Sequence, residues 1–92
     1  MEPNHEAASA SGSRTTLLAE AVRGRRRELG LRQTEVADLA GCSARFVHTL
    51  EHGKASLRLD KILDVLEVLG MDLAVVAGCG RIVAAADEAG AP

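Results

Sequence analysis

The sequence predicts a mainly α fold, with four short helices around one core followed by a C-terminal β-strand. Three observations carry this expectation. Phe46 is the only aromatic residue and there is no Trp or Tyr, so the core must be built from interlocking Leu, Val, Ile and Ala, which suits helices packed on helices. Apolar residues recur at helical spacing in four stretches, and Gly30, Gly41, Gly53 and Gly70 each stand just past the end of one. After Gly70 the apolar period changes to two, the repeat of a strand.

Residues 1–13 show no apolar period that docks them on a core and read as a disordered tail. The helix-rich domain then spans 14–70. Its first helix runs from an N-cap at Thr15 or Thr16 to Leu29, with Leu18, Val22 and Leu29 on one stripe supported by Ala21. Gln33 to Ala40 forms a short second helix with Val36, Ala37 and Ala40 inward. Ser43 opens the third, its hydroxyl placed to cap orphan backbone donors, with Phe46, Val47 and Leu50 buried and a stop at Gly53. The fourth runs from about Arg58 to Leu69 with Leu59, Ile62, Leu63, Leu66 and Leu69 on its core stripe. Val65 and Val68 fall outside that stripe and predict a second buried face against another subunit.

Residues 71–84 read as a strand and dimerisation segment, with Leu73, Val75 and Ala77 on one side and Asp72, Ala74 and Val76 on the other. A lone strand leaves its backbone groups unpaired. Two arrangements resolve this: residues 81–84 fold back as a hairpin, or the strand pairs with its twin in a homodimer. The expected interface is therefore Val65, Val68, Leu73, Val75 and Val76, and residues 85–92 read as a second disordered tail.

Ninety-two residues supply one core and leave little room for a large enclosed cavity. No stretch approaches the roughly 18 to 20 apolar residues of a membrane span, and no secretory signal opens the chain, so a cytoplasmic protein without a membrane partner is expected. Cys42 and Cys79 lack the spacing of a disulfide framework or a zinc site. The net charge of −2 is unevenly spread. Residues 14–54 hold eight basic against five acidic side chains, the later residues three against six, and the first thirteen hold two acidic ones. The basic part coincides with the segment whose pattern points to DNA.

That segment runs from Gln33 to Lys54. Two short helices crossing steeply around a tight turn need a small residue at the contact, Ala37, a glycine at the bend, Gly41, and apolar Val36, Val47 and Leu50 to lock the angle. This geometry turns the first residues of the third helix outward, where they fit a DNA major groove. Arg45 can grip guanine O6 and N7 with two hydrogen bonds, while Ala44 and Thr49 can offer methyl contact to thymine. Arg32 and Lys54, beside helix ends, suit phosphates, as does Ser43 at a helix N-terminus.

Residues from about Arg23 to Gly53 resemble the Xre/Cro and phage-repressor helix-turn-helix family, which implies a lambda-repressor-like domain. By that resemblance Ala44, Arg45 and Thr49 occupy base-reading positions with His48 beside them, and Gln33 bonds a phosphate. The resemblance also implies an ion pair between Arg26 and Glu51. The stretch from Leu57 through Leu73, followed by a Val-rich strand, is similar to HipB-type antitoxins. That similarity implies an autorepressor of a toxin–antitoxin operon, a homodimer on a near-palindromic double-stranded operator, and a HipA-type serine/threonine kinase toxin as partner. A stand-alone Xre-family regulator is the alternative, and a protein-interaction module without DNA affinity is a third reading of another class. No cofactor, metal or catalytic set is expected, because the carboxylates are scattered and no phosphate-binding glycine loop is present.

Overall fold

The computed structural model describes residues 3–54 and 56–84. Its elements are α1 (Pro3–Glu28), α2 (Gln33–Ala40), α3 (Ala44–Glu51) and α4 (Leu59–Leu69). The helix ends follow the glycine pattern. Gly41 and Gly70 stand at φ 73° and 72°, a left-handed backbone that costs other L-residues about 1–2 kcal/mol. Each helix closes with the same six-residue hydrogen-bonded loop: Leu31 N–H to Arg26 O, Cys42 to Ala37, Lys54 to Thr49 and Met71 to Leu66. These bonds satisfy carbonyls that a helix end would otherwise leave open.

Helix α1 begins well before the cap expected at Thr15 or Thr16, and takes in residues 3–13 of the expected tail. Pro3 suits a first helical position, and Glu6, Ala7, Ala8 and Ala10 are good helix formers with no proline among them to stop the helix. Thr15 lies inside the helix, and its hydroxyl donates to the Gly53 carbonyl at 2.5 Å, tying α1 to the end of α3.

The core joins Ala19 and Val22 of α1, Val36 and Ala37 of α2, Val47 and Leu50 of α3, and Ile62, Val65, Leu66 and Leu69 of α4. Two stripes are phased differently from expectation. Ala21 on α1 and Leu29 just past its end are exposed, because the inward position after Val22 goes to the half-buried Arg26. On α4, Leu59 and Leu63 face water, and Val65 is fully buried. Ile62, Val65, Leu66 and Leu69 follow the i, i+3, i+4, i+7 spacing of a single face, so Val65 belongs to the core of its own subunit and not to an interface. Val68 lies half-buried at the flank of that face.

Among the described residues there is no strand. The strand expected after Gly70 is not formed within one chain, and neither is the hairpin with residues 81–84. Leu73, Val75 and Val76 are exposed, Val75 to 98%. A strand exists only through hydrogen bonds to a neighbour, and a single chain offers this segment none. The expected tail over residues 85–92 lies outside the described residues.

Candidate nucleic-acid interface

The α2–α3 pair is held by contacts that leave one face of α3 outward. Ala37 is buried where the helices meet, and Gly41 reverses the chain without a Cβ neighbour within 4 Å. Ser43 then takes an extended backbone, and its Oγ accepts from the Phe46 N–H at 3.0 Å. That bond satisfies one of the donors a helix N-terminus leaves open. Val47 and Leu50 point into the core, Phe46 leans on its edge, and Glu51 is buried beside them.

On the opposite side of α3, Arg45 and His48 are exposed, Thr49 is half-buried, and Ala44 packs half-buried against the core edge. The Thr49 hydroxyl donates to the Arg45 carbonyl at 2.8 Å. Its proton is therefore used within the helix, which leaves the methyl and the oxygen's lone pairs for contacts outside it. Arg45 and His48 stand on this face with Thr49, while Ala44 contributes only part of its surface.

The expected phosphate contacts surround this helix. Arg32 is the N-cap of α2 with its side chain 80% exposed, and its backbone N–H donates to Glu35 Oε1 at 2.7 Å. That hydrogen bond holds the Glu35 carboxyl below the usual carboxylate range. Lys54 is exposed just past α3. Gln33 is half-buried at the start of α2, and its Nε2 donates to Glu51 Oε1 at 3.1 Å. Sequence reasoning missed that bond, since nothing in the linear order links positions 33 and 51.

Arg26 and Glu51 face each other as a fork. Nε donates to Oε2 at 2.6 Å and Nη2 to Oε1 at 2.8 Å, while Nη1 reaches the Leu31 carbonyl at 2.9 Å. Burial pushes the Glu51 carboxyl up, but the hydrogen bonds from Arg26 and Gln33, with the charge of Arg26, outweigh it and hold the group below its ordinary value. The same hydrogen bond raises Arg26. Both groups therefore stay ionised, and the pair pins α3 to α1. The neighbouring arginines diverge: Arg25 Nε donates to the Leu69 carbonyl at the end of α4, 2.9 Å away, and Arg27 is exposed. Cys42, in the turn, is half-buried, and burial pushes its thiol up, which leaves it a poor nucleophile.

Residues 17–78 match the family model described as a helix-turn-helix domain. The chain belongs to the helix-turn-helix domain family. Over 56 residues it is 43% identical to a protein described as the uncharacterized HTH-type transcriptional regulator y4mF of Sinorhizobium fredii (strain NBRC 101917 / NGR234), covering 61% of this chain and 74% of that protein. The matched span contains all of α2, α3 and α4 and the inward part of α1, so the helix-turn-helix domain accounts for the whole packed core. The family is one of DNA-binding regulators and not of enzymes. No helix among the described residues is long and apolar enough to cross a membrane.

Proposed function

We propose that this helix-turn-helix protein is a sequence-specific transcriptional repressor that binds a near-palindromic operator as a homodimer, and that it is the antitoxin of a HipBA-like toxin–antitoxin module. The observation that supports operator reading most directly is the outward face of α3, where Arg45 and His48 are exposed on a helix held by the Arg26–Glu51 fork. Arg45 reads guanine in the major groove, Thr49 and Ala44 offer methyl groups to thymine, and His48 meets a base or a phosphate. Arg32, Gln33, Ser43 and Lys54 grip the phosphates on either side.

The dimer part rests on the exposed apolar run of Leu73, Val75 and Val76, which gains backbone partners when it pairs with its twin, with Val68 at the flank of α4 beside it in the interface. In such a dimer the two reading helices lie about 34–36 Å apart, one turn of DNA. The toxin part rests on the likeness of residues 57–73 to HipB-type antitoxins. A regulator with no toxin partner is the second reading, favoured by the description of the relative from Sinorhizobium fredii as an HTH-type transcriptional regulator.

Gel-shift titration against the DNA upstream of the chain's own reading frame tests operator binding. Affinity should fall steeply with salt as phosphate counterions are recaptured, and a flat salt response would leave the protein-interaction reading in place. Co-expression with the neighbouring reading frame tests the antitoxin reading. A kinase-like protein that co-purifies and loses its toxicity supports it, and the lack of such a neighbour favours the free-standing regulator.

A further inference from the structure

We propose that His48, in the last turn of α3, and His52, its C-cap residue, form a two-imidazole chelate for a divalent transition-metal ion of the zinc, nickel or copper class. The residues stand one helical turn apart, and their ring centroids lie 4.0 Å from each other with the planes tilted by 33°. Both are exposed, so no surrounding core forces the rings together. Histidines at i and i+4 are the spacing by which one helix presents two ring nitrogens to one ion.

A second observation concerns the tautomer. His52 Nδ1 lies 2.7 Å from the His48 carbonyl oxygen. A carbonyl can only accept, so the bond needs a proton on Nδ1, and in the neutral ring the lone pair is then on Nε2. Metal-ligating histidines are oriented in this way, with the second ring nitrogen donating to a carbonyl or carboxylate. In its neutral form His52 thus offers Nε2 to an ion while Nδ1 stays on the backbone carbonyl. Neutral imidazole selects zinc, nickel or copper over calcium and magnesium, which take oxygen ligands. No group of three or more His, Cys, Asp or Glu fit to hold a metal occurs among the described residues. Among the described residues no third ligand joins the two rings, which leaves the other coordination positions to water or to an incoming ligand.

The location gives the site a consequence. A ring nitrogen bound to a metal cannot also bond a base edge, so loading the site withdraws that nitrogen of His48 from any DNA contact. This consequence rests on the operator reading proposed above, whereas the metal site does not.

The test is a Zn²⁺ titration of the full chain, followed through the side-chain nitrogen resonances of each histidine without DNA present. His48 and His52 should respond together, with one midpoint and one ion per chain. His52→Gln, checked for unchanged helix content, should weaken the His48 response at least tenfold, because the second ligand no longer acts intramolecularly. Separate midpoints for the two rings, an unchanged His48 response in that variant, or no response of either ring would each overturn the proposal.

Discussion

Arg26 and Glu51 close a two-pronged ion pair between α1 and α3 across 25 positions of sequence, with side chains only 12% and 1% exposed. Removing one member leaves a buried charge without its counterpart, a loss of about 3–5 kcal/mol in comparable pairs. Glu51→Ala should therefore lower the unfolding free energy by about 3 kcal/mol, seen in urea unfolding followed by circular dichroism because the chain has no Trp or Tyr. Arg26→Met combined with Glu51→Leu should recover most of the loss. A double variant as weak as the single one would show that the fork is not what Glu51 contributes.

The same pair sets a pH dependence. The folded Glu51 carboxyl sits below its unfolded value, so in acid the unfolded chain binds a proton that the folded chain does not. Its stabilisation is complete above the unfolded glutamate value, about 4.3, and is lost as pH falls through the lower folded value. Urea midpoints should decline on that acid limb, and Glu51→Gln should flatten it. An equally steep limb in the variant would assign the effect to other carboxylates, such as Glu35 or Asp60, whose values are also lowered.

Val65 and Val76 should respond to substitution in opposite ways. Val65 is fully buried among the four helices, so Val65→Ala removes packed methyl groups and should cost about 2 kcal/mol of stability without a specific effect on assembly. Val76 is 68% exposed. On the proposed dimer, Val76→Asp should lower the sedimenting mass while leaving the helical content of the subunit intact, and an unchanged mass would move the interface elsewhere.

Arg45 reaches outward on α3, and its backbone carbonyl is tied to the Thr49 hydroxyl. If it reads guanine, Arg45→Ala should weaken operator binding by about 1–3 kcal/mol, and binding to random duplex much less. Equal losses on the two duplexes in a shift assay would make Arg45 a phosphate contact.

Gly41→Ala isolates backbone strain from crowding, because a Cβ there meets nothing within 4 Å while φ is 73°. The expected cost is about 1–2 kcal/mol. Gly41→Asn should cost less, since asparagine tolerates this conformation better. A neutral alanine variant, measured by thermal melt, would mean that the turn relaxes to a different backbone.

Four helices and their C-terminal ends were legible in the sequence because a left-handed C-terminal residue is most easily a glycine, and glycines mark all four. The outward placement of Arg45 and His48 was legible too, since Val47 and Leu50 fix which way α3 faces. The phase of α4 was not. With Leu59, Ile62, Leu63, Val65, Leu66, Val68 and Leu69 on one short helix, hydropathy covers most of the circumference and admits more than one stripe. The direction is set by neighbours, such as Arg25 seated on the Leu69 carbonyl at the helix end. Likewise, hydropathy alone puts Leu29 inside, whereas the inward position goes to Arg26, whose pairing with Glu51 on another helix only the family resemblance implied. The strand after Gly70 is absent from the single chain for a different reason. Alternation reveals a segment suited to pairing, but the pairing itself needs a neighbour outside the chain.

Gln33 carries one amide with two N–H groups, and the structure commits one of them to Glu51. On the proposed operator reading, the other can grasp a phosphate without surrendering the first. The nucleic-acid backbone would then be moored through Gln33 and Glu51 to the guanidinium of Arg26, three links anchored on three different helices. A tug on the duplex would be borne by the whole scaffold, and loosening any link would slacken the grip even where no side chain meets a base.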